Sequence, residues 1–325
     1  MKNLTCKNCG GTMVLDASGM VAVCHYCGTR YVLNHEDTDY YRAFHQQMSR
    51  FLSADEDEKA RKLRADEFWE KAEQQSFECR DGRTVEVKFA HRYTDRDAEI
   101  YVARKNMIIH FTQDKSDLAE TYRRQSAFLD YPSADTRSLS DFFPKVSGGF
   151  ELADGSSLLV IAKDEDEYPL RLFGKLHPRH VAWIISRMEN LCCVLEYNSL
   201  VHPEITPDTL YINPYTHQAS LYGSWWKVGK CNSYSYDKTH LLSSAESLCG
   251  IRNTAAMLLG YDRAGSVRPD PKTPAALCDF INSPPKSNAY EDFEYWDAML
   301  VKAFGERKFI RFDTDDEEIY EGKGD

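Results

Sequence analysis

What this chain lacks narrows its class first. None of its 325 residues falls in an uncharged apolar run near the ~20 residues that cross a membrane as a helix, and its first residues lack the apolar core of a secretion signal. Both absences predict a soluble, cytoplasmic protein with no membrane partner. Positive charge is also short: 40 Lys and Arg stand against 51 Asp and Glu, a formal net charge of −11. Phosphate surfaces would repel most of such a chain, which argues against nucleic acid as a general partner. Proline and glycine are missing from residues 35–75, a polar and highly charged stretch. Cysteine is not scarce, but six of the ten (Cys79, Cys192, Cys193, Cys231, Cys249, Cys278) follow no framework spacing. Cys192, Cys193 and Cys249 lie in apolar helical patterns and read as buried thiols of a reducing compartment. The remaining composition, 42% hydrophobic and 12% aromatic, suits one large globular domain plus a small module.

The small module is expected over residues 1–33. Cys6-Lys7-Asn8-Cys9-Gly10 and Cys24-His25-Tyr26-Cys27-Gly28 are matching knuckles. Each aims two thiolates at one ion, and together they complete the tetrahedral shell of structural zinc, one Zn2+ per chain. Residues 12–15 and 20–23 read as two strands joined through Asp16-Ala17-Ser18-Gly19. So short a segment buries too little apolar surface to fold alone, so the metal supplies much of its folding free energy. A redox dithiol would need a single Cys-x-x-Cys in a βαβ setting, which is missing. His25 reads as a solvent-facing filler. The module is similar to zinc ribbons, which dock either proteins or nucleic acids; weak basicity (Lys2, Lys7, Arg30) favours protein.

Residues 34–76 read as a charged helical connector. Tyr40, Tyr41, Phe44, Met48 and Phe51 recur at spacings of three and four, and Ser53 or Asp55 could cap a second helix running through Phe68-Trp69. The stripe lies on the main domain in one reading and meets a partner's groove in the other. Period-two patterns at Val85, Val87 and Phe89, at Ile100 and Val102, and at 107–111 predict three antiparallel strands. Residues 116–129 form an amphipathic helix with Leu118, Tyr122 and Leu129 inward. Two strands follow at 142–152 and 157–162, around an Asp154-Gly155 turn. Val181, Ile184, Ile185, Met188, Leu191 and Leu195 then mark a buried helix over 178–199.

The most informative stretch is residues 201–226: Val-His-Pro-Glu-Ile-Thr-Pro-Asp-Thr-Leu-Tyr-Ile-Asn-Pro-Tyr-Thr-His-Gln-Ala-Ser-Leu-Tyr-Gly-Ser-Trp-Trp. It resembles, without a gap, the catalytic loop and magnesium loop of a protein kinase. His202-Pro203-Glu204 stands for His-Arg-Asp, Thr209 for the metal-binding Asn, and Gly223-Ser224-Trp225 for Asp-Phe-Gly. The resemblance implies an α+β chain: zinc ribbon, helical connector, then a two-lobed kinase-like domain. Its β-rich small lobe would span 77–168, its mainly helical large lobe 169–312, and an acidic, solvated tail 313–325.

The same resemblance puts His110 where the phosphate-pairing lysine sits, Glu120 at the glutamate of helix C, and the hinge at residues 163–168. A second register would make Val102-Ala103-Arg104-Lys105 the lysine motif. The Gly-rich loop falls at residues 92–98, which hold no glycine but do hold Asp95 and Asp97. A phosphate cover needs small residues for close backbone approach, so neither ATP nor Mg2+ is expected. His202 is expected to make structural hydrogen bonds. Glu204 could still accept a hydroxyl proton, but Gly223 and Thr209 cannot clamp magnesium. The second half matches least: no Ala-Pro-Glu follows, and helices are expected near 247–260, 273–281 and 288–304. The resemblance implies a pseudokinase: a scaffold or allosteric regulator with a protein partner and no catalytic activity. The alternatives are an unconventional phosphoryl or nucleotidyl transferase using Glu204, and a nucleic-acid-associated regulator working through the ribbon.

Overall fold

The computed structural model describes residues 6, 9, 11, 13–15, 21–32, 56–308, 310–312 and 314–322. The expected helix through Tyr40 and Phe51, the caps Ser53 and Asp55 and the turn at 16–19 lie outside the described residues.

The N-terminal module is a three-stranded antiparallel sheet of β1 (Met13–Leu15), β2 (Val21–Cys24) and β3 (Arg30–Val32), with β2 in the middle. The hairpin falls where the sequence placed it, and β3 extends it beyond the second knuckle. Each knuckle curls through a backbone bond, Cys6 N–H to Gly11 O at 2.8 Å and Cys24 N–H to Thr29 O at 2.8 Å. Gly28, at φ +67°, supplies the left-handed residue of the second curl.

Helix α1 (Glu56–Lys71) follows, carrying Phe68 and the buried Trp69. Strands β4 (Glu73–Glu78) and β5 (Thr84–Phe89) pair only with each other. The sequence reading placed Val85, Val87 and Phe89 in the first strand of the small-lobe sheet, and the structure corrects this. They belong to a separate hairpin whose Phe77, Val87 and Phe89 cover the outer sheet face at Tyr101, Ile108 and Leu158. Period-two patterning marks a half-buried strand but not the sheet that owns it.

The small-lobe sheet has five antiparallel strands: β6 (His91–Thr94), β7 (Glu99–Val102), β8 (Asn106–Phe111), β9 (Lys145–Glu151) and β10 (Ser157–Ala162). Their order is β6-β7-β8-β10-β9. Helix α2 (Asp117–Ser126) turns Leu118 and Tyr122 inward, as its pattern demands.

In the large lobe β11 (Tyr168–Pro169) leads to α3 (Pro178–Tyr197), which starts on a proline in its first turn and a His177 cap. Then come β12 (Leu200–Val201), β13 (Leu210–Asn213), β14 (Gln218–Leu221) and β15 (Gly229–Lys230). Helix α4 (Ser244–Leu259) begins with a Ser243–Glu246 capping box, and α5 (Ala275–Asn282) and α6 (Ala289–Phe304) complete the bundle. A fully buried bidentate pair ties α4 to α6: Arg252 donates to Asp292 at 2.7 and 2.8 Å.

The acidic tail is not simply solvated. Residues Asp316–Tyr320 form α7, with Ile319 and Asp316 buried. Tyr320 stacks on Phe68 of α1 at 5.6 Å and meets Tyr168 at 5.8 Å. Charge content predicted exposure; two apolar residues at adjacent positions decided otherwise. No helix among the described residues is long and apolar enough to cross a membrane.

Candidate functional site

Two sites emerge. The first is Cys6, Cys9, Cys24 and Cys27, whose sulfurs all lie within 4.8 Å of one another and whose residues are buried. Cys6 and Cys27 approach to 3.4 Å, Cys9 and Cys24 to 3.3 Å. Zinc–sulfur bonds of ~2.3 Å place tetrahedral sulfurs roughly 3.8 Å apart, so the donor set and its spacing fit zinc. A buried thiolate quartet is stable only around a cation. Without one, hydrogen bonds among the four split them, lowering the pKa of Cys6 and Cys27 and raising that of Cys9 and Cys24. Among the described residues this is the one group of His, Cys, Asp and Glu able to hold a metal.

The second site is the cleft between the lobes. Its roof is the β6–β7 hairpin, whose turn closes from Asp95 N–H to Ala98 O at 2.9 Å. Asp95 and Asp97 point down from that turn. Beneath them stands Lys227, which the sequence reading did not single out, in the turn after Gly223-Ser224-Trp225-Trp226. Its Nζ lies 2.9 Å from both Glu204 oxygens, 3.4 Å from Asp97 Oδ2 and 3.8 Å from Asp95 Oδ1. Asp97 also takes Lys115 Nζ at 2.9 Å and Trp226 Nε1 at 3.5 Å, and Ser224 Oγ donates to Asp95 at 3.2 Å. Burial opposes the charge on Asp97, yet Lys115 and then Lys227 hold its carboxyl below the usual range. Burial likewise opposes the charge on Lys227, and Glu204 and Asp95 outweigh it, so its pKa is raised. Lys227 is thus held by the protein's own carboxylates.

His202 is fully buried in the floor. Its Nδ1 accepts from Glu204 N–H at 3.3 Å, which leaves Nε2 to donate to Gly223 O at 2.9 Å. Burial pushes it down to about 4, so it is neutral with both nitrogens engaged. Thr209 Oγ1 bonds to Glu204 O at 2.7 Å and to Thr206 O at 3.1 Å, which ties its hydroxyl into the loop. Gly223 sits so close that an added Cβ would come within 2.6 Å of Thr209 Cα. No carboxylate fits at 223 without moving the loop. His202, Glu204, Thr209 and Gly223 therefore do assemble in one place, though not as a metal clamp.

His110 and Glu120 do not join them. Along β8 the side chains alternate: Met107 and Ile109 line the cleft, whereas His110 lies on the other face. Its ring meets Phe77 at 5.3 Å, and Nε2 bonds to Ser156 Oγ at 3.0 Å. The sequence register is off by one residue, which flips a side chain across the sheet. The second register fails too. Ala103 to Asn106 is a turn, and Arg104 pairs with Asp66 of α1 at 2.5 Å. Glu120 is exposed, so the His110–Glu120 pair does not form.

The remaining cavity, about 300 Å³, is lined by Tyr93, Asp95, Arg96, Ile109, Asp208 and Trp226 among others. That is the low end of the ~300–1,000 Å³ of small-molecule sites. Tyr93 crosses it, donating to Asp208 O on the opposite lobe at 3.0 Å, and Tyr122 donates to Tyr222 O at 2.5 Å. The hinge acids face elsewhere: Asp166 takes Arg61 of α1 at 2.6 Å, and Glu167 takes Ser220 and Tyr222 in the core at 2.6 and 2.9 Å.

A five-stranded lobe over a helical lobe, with this loop between them, defines a protein kinase-like fold. No family model matches the chain, and no curated protein matches it. Among solved structures it is similar to that of vaccinia related kinase 3 at 14% identity and a TM-score of 0.51. That match covers 70% of this chain and 90% of the other. A Toxoplasma gondii rhoptry antigen kinase domain aligns at 11% identity and a TM-score of 0.48, over 72% and 88%, too loosely to add to the argument. The first likeness shows the fold and nothing finer.

Proposed function

We propose that this protein is a pseudokinase, a non-catalytic scaffold or allosteric regulator in the cytoplasm that binds protein partners and carries a structural zinc ribbon. The observation that carries the reading is Lys227 held by Asp95, Asp97 and Glu204. A triphosphate would have to take that lysine from three carboxylates that repel it. Two further features support the reading. His202 has no free lone pair for a general base, and position 223 has no room for a metal-binding carboxylate.

The test is a thermal-shift titration with ATP and Mg2+ or Mn2+, followed by assay for label transfer from ATP. The pseudokinase reading expects no rise in Tm and no transfer. A rise with transfer that Glu204→Gln abolishes would make the protein a transferase instead.

A further inference from the structure

The ribbon is not free of the kinase-like domain. Its Tyr26 ring meets His217, in the turn just before β14, edge to face at 5.2 Å, and His217 in turn packs on Trp183 of α3 at 5.2 Å. Gly11 lies flat against Tyr26, where an added Cβ would come within 2.3 Å of the ring. Beside this contact, one turn along α3 from Trp183, stands Arg187. Its residue surface is 5% exposed. Nε donates to His217 O at 2.7 Å, while Nη2 is buried with no hydrogen-bond partner. The guanidinium lies against Cys9, with Cys24 and Cys27 the other groups acting on it, and it pairs with no carboxylate among the described residues.

A buried guanidinium without a counter-charge is costly. Four protonated thiols offer it none. Four thiolates around one Zn2+ carry a net charge of −2 and offer a diffuse anionic surface to the lobe. We infer that Arg187 is the large lobe's counter-ion to the zinc–thiolate cluster, so that metal binding in the ribbon and docking of the ribbon on α3 and β14 stabilise each other. The coupling is reciprocal by linkage: whatever docking gains from zinc, zinc retention gains from docking. The inference rests on the reading of the four cysteines as a zinc site. Arg187 is a positioning residue, and nothing in the inference depends on whether the cleft has activity.

The experiment uses the full-length zinc-loaded chain and follows zinc transfer to a chromophoric chelator. Outer-shell partners of metal sites are worth roughly 10–100-fold in affinity, so Arg187→Met should lose zinc at least ~10-fold faster, and Arg187→Lys, which keeps the charge, by less. Hydrogen exchange on the wild-type protein, with and without chelator, guards against a misfolded variant. Metal removal should raise exchange in residues 178–190 and 213–218, far from any zinc ligand in sequence, as well as in the ribbon. Zinc loss at the wild-type rate from Arg187→Met, or exchange confined to the ribbon after chelation, would overturn the coupling. A wild-type chain that purifies with less than half an equivalent of zinc, and takes up no more, would overturn the zinc site itself and the inference with it.

Discussion

Replacing Lys227 by methionine tests the reading of the cleft most directly. The substitution keeps the length of the side chain and removes its charge. Lys227 is 9% exposed at its side chain and serves Asp97, which is 2% exposed, together with Asp95 and Glu204, at 24% and 41%. Removing one partner of a fully buried pair costs about 3–5 kcal/mol. Here Glu204 and Asp95 regain water, and Lys115 still pairs with Asp97 at 2.9 Å, so the expected loss is smaller, about 2–3 kcal/mol. At ~2–4 °C per kcal/mol for a domain of this size, Tm should fall by roughly 4–12 °C. The diagnostic is a double-mutant cycle. Asp97→Asn should destabilise the wild type but cost at least ~1 kcal/mol less in the Lys227→Met background, where the aspartate charge has lost its second cation. Urea unfolding followed by fluorescence, with five tryptophans available, reads both. Strict additivity, within ~0.5 kcal/mol, would show that the lysine and the roof acids are not joined and would remove the main support for a self-occupied cleft.

Two other outcomes follow from the same geometry. Gly223→Asp, which rebuilds the missing metal carboxylate on paper, should cost ~1–3 kcal/mol through the clash with Thr209 and confer no Mg2+-dependent rise in Tm; such a rise would show that the loop accommodates the side chain. Stability should also fall with acid through the range in which histidines of the unfolded chain titrate. Burial pushes His180, His202 and His217 down from 6.5 to about 4. The unfolded chain therefore binds protons first as pH drops. Their contribution is full above about pH 6.5 and is lost toward pH 4, at ~1.4 kcal/mol per pH unit for each histidine. Tm measured from pH 7 to 4.5 should slope downward, and less steeply in His180→Gln; a flat wild-type profile would contradict the burial argument.

Much of the architecture was legible because its causes are local. Two Cys-x-x-Cys knuckles with a hairpin between them leave one compact arrangement for four sulfurs. The apolar rows of α2 and α6 fall on one helical face each, so packing follows from spacing, whereas α3 is buried almost all round. The loop holding His202, Glu204, Thr209 and Gly223 keeps its frame because short-range hydrogen bonds from the His202 ring and the Thr209 hydroxyl set it. His110 was misplaced for a reason equally physical. A strand alternates faces at every residue, so a register error of one costs nothing in pattern and everything in orientation.

By itself, the amino-acid order determined the two cysteine knuckles, the helical stripes and the lack of a carboxylate at Gly223, since each depends on residues only a few positions apart. Tertiary structure alone decided the rest. Lys227 meets Asp95 and Asp97 only once the small lobe has closed over the large one. The β4–β5 hairpin covers an outer sheet face that its own pattern does not name. Tyr320 is drawn back onto Phe68, and Arg187 faces the ribbon's cysteines, across most of the chain. Opposite charges and apolar rings find such partners through space, and distance along the chain leaves no periodic trace of them.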